Sequence, residues 1–213
     1  DLHLYTHSFP TRRSSDLVNS AKDDAAGLAI SERMNAQVRG MNVAIRNAND
    51  AISLSQTAEG ALGKVGDMLQ RMRELAVQSA NATNGTSDRA NLNAEYQALG
   101  TEVVRTLANT KFNGLAILGA NAGTLSFQVG ANAGETVDVV TTRLDTAGSI
   151  TGATGGAITD ATLAGTAMTN IDTALTAVNG ERALYGATQN RFDAIIGTLQ
   201  VAAVKAPGFG DRR

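Results

Sequence analysis

The 213-residue chain contains no cysteine and no tryptophan, and only two prolines and two histidines. The missing cysteine excludes a disulfide frame, thiol catalysis and cysteine-based zinc sites; it fits export without requiring it. Aromatic residues make up 4% of the chain, so packing must rest on Ala, Leu, Ile, Val and Met, as in helical bundles. No apolar run approaches the roughly 20 residues of a membrane span. The N-terminus also lacks the apolar segment of a secretory signal peptide. A formal net charge of −2 gives no electrostatic case for nucleic acid or an anionic membrane surface, and neither is expected as a partner.

The scarce residues are unevenly placed. His3, His7 and Pro10 precede residue 18 and Pro207 follows residue 200, so 18–200 holds no His, Cys, Pro or Trp. Without histidine that span has no Ser–His–Asp triad and no HExxH zinc site. Asp23 and Asp24 are adjacent. On a helix they diverge by about 100° and do not converge on one proton. Residues 152–156 (GATGG) lack the strand, lysine and helix of a phosphate loop and read as a surface loop. No catalytic residue, cofactor or metal site is expected, and an enzyme is the least favoured class.

What is present is a long apolar stripe. Met34, Val38, Met41, Ile45, Ala48, Ile52, Ala58, Leu62, Val65, Leu69, Met72 and Ala76 recur at steps of three and four, with Ser55 in one slot. That spacing puts one side chain per turn on a single helix face, a seam rather than a wide core face. A helix from about Ser20 to about Ala80 would be roughly 90 Å long. Asn19-Ser20 offers an N-cap, and Asp23-Asp24 put negative charge where the helix dipole favours it. Gly27, Gly40, Gly60, Gly63 and Gly66 lie inside this rod. Each costs roughly 0.8–1 kcal/mol relative to Ala, so packing must offset the loss or the rod bends near 60–66. Rods with seams pack against rods, and the first inference is assembly.

Asn81 to Thr86 (NATNGT) is a turn cluster that ends the rod. Thr86 or Ser87 can cap a second helix, Ser87 to about Ala108, with Leu92, Tyr96, Leu99, Val103 and Leu107 on one face. Phe112-Asn113-Gly114 marks another turn. Leu125, Phe127 and Val129, then Val137 and Val139, alternate with polar residues around GANAG (130–134), a hairpin signal. Residues 141–166 are rich in Gly, Ala and Thr with little period. Met168, Ile171, Leu175, Val178, Arg182, Tyr185, Gln189, Phe192, Ile196 and Leu199 then follow strict steps of three and four, so a last helix can lie along the first two and close a bundle. The expected fold is mostly α: a long antiparallel helical bundle with a small β-hairpin region and a short Gly/Ala/Thr-rich insert.

The run VNSAKDDAAGLAISERMNAQVRGMNVAIRNANDAISLSQTAEGAL from Val18, then LQRMRELAVQSANATNGTSDRANLNAEYQAL and NTKFNGLAIL, resembles bacterial flagellin, specifically the inner core domain of the filament subunit. The likeness returns at AMTNIDTALTAVNGERALYGATQNRFD, which resembles the C-terminal core helix. It implies 18–118 as N-terminal core helices and turn, 119–166 as hairpin and short variable region, and 167–200 as C-terminal core helix. It implies a structural subunit of a motility filament, exported unfolded through the flagellar secretion channel, with other flagellin subunits, an export chaperone and the secretion apparatus as partners. The terminal segments that form the inner coiled coil in flagellins have no counterpart in this chain, so it is expected to fold its core without polymerising. The resemblance also implies recognition by host Toll-like receptor 5. The family's receptor-contacting motif matches at Gln70-Arg71-Met72-Arg73-Glu74-Leu75, which places Arg71, Leu75 and, on the next helix, Glu95 in contact with receptor or neighbouring subunit. Arg71 and Leu75 are at i and i+4, hence on one face. The alternatives are a flagellar hook–filament junction protein and a coiled-coil adhesin or secretion-tip protein.

The flanks read differently. Residues 1–17 (DLHLYTHSFPTRRSSDL) show no period, and their end resembles the translation of a sequencing-library adapter, so a non-native leader is expected. Residues 201–213 (VAAVKAPGFGDRR) resemble a short stretch of the group I chaperonin family, expected as a foreign tail with no chaperonin activity.

Overall fold

The computed structural model describes residues 25–205. The expected cap at Asn19-Ser20, the Asp23-Asp24 pair, the leader at 1–17 and the tail from residue 206 lie outside the described residues. The order is α1 (Ala25–Ala80), α2 (Thr86–Asn109), β1 (Lys111–Phe112), β2 (Leu115–Ala116), β3 (Thr124–Gln128), β4 (Thr136–Val140), α3 (Gly148–Thr154) and α4 (Ala161–Lys205).

The 56 residues of α1 form one unbroken helix, about 84 Å at 1.5 Å per residue. The expected stripe is buried from Ala48 onward at positions 48, 55, 58, 62, 65, 69, 72 and 76, while Met34, Val38, Met41, Ile45 and Ile52 are half-buried. Ser55 is tolerated in the seam because its hydroxyl donates to the Ala51 carbonyl at 2.9 Å. Leu54, Leu75 and Ser79 are buried as well, a second row that widens the seam. The physical reason is that α1 has two partners: α2 folds back on its C-terminal half, and α4 runs antiparallel along it. The pairs Arg73–Asp172 and Glu59–Gln189 fix the α1–α4 direction, since lower numbers on one helix meet higher numbers on the other. The helix passes through Gly60, Gly63 and Gly66 without interruption, and a Cβ there would meet nothing within 4 Å. So, among the described residues, no other helix approaches closely at these glycines.

The α1–α2 turn is closed by side chains that take up the backbone groups a helix end leaves free. Arg89 donates to the carbonyls of Ser79 (2.9 Å) and Asn81 (3.1 Å), and Asn84 donates to that of Gln78 (2.5 Å). The cap of α2 is Gly85 rather than Thr86 or Ser87, because the Asp88 carboxylate reaches back to accept the Gly85 N–H at 3.0 Å. Tyr96, Gly100, Val103 and Leu107 form the buried face of α2, with Leu92 and Leu99 half-buried.

Residues 113 and 114 turn the β1–β2 hairpin, with Asn113 at φ 47° and Gly114 at φ 82°. Both are left-handed, the geometry that a two-residue hairpin demands and Asn-Gly supplies. The β3–β4 hairpin pairs Leu125 with Val139 and Phe127 with Val137. Its inner face meets α4 through an edge-to-face contact of Phe127 with Phe192 at 5.9 Å. Asn47 donates to the Gln128 carbonyl and Gln37 to Asn132, both at 2.9 Å, which ties the hairpin to α1.

The Gly/Ala/Thr-rich insert differs from expectation. Residues 148–154 are helical, and Ile150, Ala153 and Ile158 are fully buried, so 152–156 is not a surface loop. Side chains from α2 and α4 take its backbone groups: Tyr96 donates to the Ala153 carbonyl (2.5 Å), Asn170 donates to that of Gly152 (3.1 Å), and Asn93 accepts from Ile158 N–H (2.9 Å). Ser79 and Gln97 add donors to the carbonyls of Ile158 and Gly156. The approach is close enough that a Cβ on Gly100 would stand 2.9 Å from the Thr154 carbonyl oxygen, so only glycine lets α2 and α3 meet there. Periodicity misses such a segment because polar satisfaction, not an apolar stripe, holds it.

The returning helix starts at Ala161, earlier than the expected 167, because the Asp160 carboxylate accepts the Leu163 N–H at 2.8 Å and caps it. It continues past Gln200 to Lys205. The Val-Ala-Ala-Val-Lys stretch carries no helix breaker, and the helix runs through it.

Candidate functional site

Two arginines on α1 organise the surface where the three long helices meet. Arg71 and Arg73 are two residues apart, about 200° around a helix, so they reach opposite neighbours. Arg71 crosses to α2, where its Nε donates to Glu95 Oε1 at 2.9 Å, while its Nη1 donates to Glu74 Oε2 on α1 itself at 3.0 Å. Arg73 crosses to α4 with two bonds to the Asp172 carboxylate, 2.7 and 3.3 Å. All these side chains stay close to half exposed or more. Hydrogen bonding to Arg73 holds the Asp172 carboxyl below its ordinary range, and Glu74 and then Glu95 push the Arg71 guanidinium up. Exposed pairs of this kind are screened by water and contribute little to stability. They serve as a fixed charge pattern on the rod.

Of the expected contact residues, Arg71 and Glu95 are exposed and bonded to each other. Leu75 is not beside them on the surface. It is 0% exposed and belongs to the second buried row of α1. The i,i+4 relation does put it near Arg71 on the helix, but Leu75 belongs to the buried core cluster beneath the strip. The exposed apolar residue here is Val77, 50% accessible, which lines a shallow open groove with Gln70, Arg73, Glu74 and Gln78. Val77 and Asp172 are the strip residues that sequence reading missed. The two-residue offset of Arg71 and Arg73 was the available signal that the pair addresses two helices.

Buried polar groups lie elsewhere on the rod. Tyr96 is fully buried, and desolvation pushes its phenol up to about 12. Tyr185 is pushed up as well, first by burial and then by the nearby Glu181 charge. A phenol whose folded value is raised contributes stability that is complete below its unfolded value and is lost as pH rises through the folded one. Thermal melts should therefore stay level on this account up to about pH 10 and fall between there and about pH 12. Tyr96→Phe combined with Tyr185→Phe should flatten that limb, and an unchanged limb would assign it to other groups. Among the described residues no helix is long and apolar enough to cross a membrane, and no group of three His, Cys, Asp or Glu is placed to hold a metal.

An antiparallel three-helix rod with this hairpin and this charged strip is a specific arrangement, and comparison with known proteins decides its family. The model of the bacterial flagellin N-terminal helical region matches residues 13–122, half of the chain. The chain belongs to the flagellin family. With that it belongs to the subunits of the bacterial flagellar filament, a structural class. A flagellin of Halalkalibacterium halodurans is 48% identical over 186 residues, 87% of this chain and 68% of the relative. The B-type flagellin of Pseudomonas aeruginosa is 56% identical over 122 residues, 57% of this chain but 25% of that flagellin. The chain thus spans between a quarter and two thirds of the length of these flagellins. Among solved structures, Bacillus cereus flagellin superposes with a TM-score of 0.64 at 33% identity, over 72% of this chain and 88% of that one. A structure described as that of a flagellar hook-associated protein from Vibrio parahaemolyticus gives a TM-score of 0.75 at 16% identity, over 90% and 99%. That likeness is one of fold alone; sequence identity places the chain with the flagellins rather than with the hook–filament junction alternative.

Proposed function

We propose that the chain supplies the packing core of its filament subunit and that the Arg71–Glu95 strip is a contact surface, for neighbouring flagellin subunits in the filament and for host Toll-like receptor 5 on the free subunit. The supporting observation is that Arg71 and Glu95 are bonded across α1 and α2 while remaining about half exposed, a rigid pattern whose loss the core does not feel. Exposed apolar residues occur on α1 (Val43, Val77), on β4 (Val140) and on α4 (Leu163, Leu184). In a whole subunit that also carries the terminal coiled-coil segments, many weak head-to-tail contacts of that sort close no ring and favour a helical polymer by mass action. The subunit leaves the cell unfolded through the flagellar secretion apparatus, guided by an export chaperone; a chain with no cysteine has no crosslink to obstruct that passage.

The test separates surface from core. In a Toll-like receptor 5 reporter assay, Arg71→Ala should raise the concentration needed for half-maximal signalling about tenfold or more, with the melting temperature held within about 2 °C. Leu75→Ala should instead destabilise the fold by about 2–5 kcal/mol. Wild-type signalling from both Arg71→Ala and Glu95→Ala would remove the receptor contact from this strip.

A further inference from the structure

The sequence contains three Asn-Gly pairs, at 84–85, 113–114 and 179–180, and the fold places them in three different environments. Asn-Gly is the dipeptide in which a backbone amide most easily reaches the preceding side chain, because glycine puts no Cβ in the way. Asn84 is held: its side-chain amide donates to the Gln78 carbonyl at 2.5 Å, and the Gly85 N–H is occupied by Asp88 at 3.0 Å. Asn179 and Gly180 lie deep inside α4, where the backbone is committed to the helical ladder. Asn113 and Gly114 differ. They form the exposed tip of the β1–β2 hairpin, both in left-handed conformations, and among the described residues neither the Asn113 side chain nor the Gly114 N–H has a hydrogen-bond partner. The strands behind them are two residues each, so the tip can open without unfolding the rod.

We infer that Asn113 is a site of spontaneous deamidation, with water as the co-reactant. The Gly114 nitrogen attacks Asn113 Cγ and a new N–C bond closes a five-membered imide. The Cγ–Nδ2 bond breaks, and Nδ2 leaves as ammonia with the proton lost by the backbone nitrogen. Water then adds to either imide carbonyl and reopens the ring, to aspartate or to isoaspartate. One water is consumed and one ammonia released, with no change of oxidation state. The product carries a new carboxylate at the turn, two residues along the chain from Lys111. In the isoaspartate form it also carries an extra backbone carbon inside a turn that accommodates only two residues.

The full chain, incubated at mildly alkaline pH and mapped by peptide mass spectrometry, tests this. Folded protein should react at Asn113 at least about tenfold faster than at Asn84, where two hydrogen bonds must break first, and slowest at Asn179. In denaturant the three rates should converge, because the dipeptide is the same. Asp88→Ala should free the Gly85 amide and raise the Asn84 rate toward that of Asn113. Equal rates in the folded chain, a faster Asn84 or Asn179, or a ranking that persists in denaturant would overturn the inference.

Discussion

Replacing Leu69 by aspartate is expected to leave the chain without a folded core at neutral pH. Leu69 is 0% exposed, on the stretch of α1 that α2 and α4 enclose from two sides. The substitution removes a buried leucine and leaves a carboxylate with no cation to receive it. The nearest arginines, Arg71 and Arg73, are turned outward and bonded to Glu95 and Asp172. Losing the burial costs about 2–5 kcal/mol before the charge is counted, and an unpaired buried charge costs several more. Since domains have about 5–15 kcal/mol in total, circular dichroism should show lost helix and no cooperative melt. A variant that melts like the parent would mean that α1 is not enclosed at Leu69.

The second large effect falls on Phe192, where α4 and the β3–β4 hairpin share one ring. Phe192 is fully buried and meets Phe127 edge-to-face at 5.9 Å. Phe192→Ala removes that contact and leaves a cavity, at a cost of about 3–5 kcal/mol. For a chain of this size that lowers the melting temperature by about 10–15 °C. Because Phe127 loses its partner too, the hairpin should loosen first, and amide exchange should rise in β3 and β4 before α1 and α2. A uniform rise over the rod would argue against the hairpin being held through this pair.

Both positions are legible in the sequence, since Leu69 and Phe192 stand on stripes with steps of three and four, the period of a buried helix face. The hairpin was legible for the same reason: Leu125, Phe127, Val137 and Val139 alternate, and an alternating run has one inward face. The second buried row, Leu54, Leu75 and Ser79, was not, because how wide a helix buries itself depends on how many neighbours it has. The same holds for the strip: the spacing sets Leu75 near Arg71, and only the packed bundle shows it fully buried. The insert was illegible for another reason. Its order comes from Tyr96, Asn93, Asn170 and Ser79 bonding to its backbone, pairings between residues far apart in sequence that no local pattern marks. The start of α4 was recoverable in principle from Asp160, an N-cap in a stretch otherwise poor in signals.

The central claim is that α4 returns antiparallel along α1 in one register, so that residue 172 lies beside residue 73. The chain has no cysteine, so Arg73→Cys with Asp172→Cys accepts two spin labels and nothing else. Pulsed electron paramagnetic resonance on this variant, diluted with unlabelled chain, should give a narrow, short distance. The Arg73→Cys, Gln189→Cys control should add about 25 Å along the helix axis for its 17-residue offset. A broad, long distribution for the first pair, or a shorter distance for the second, would contradict the bundle on which the whole account stands.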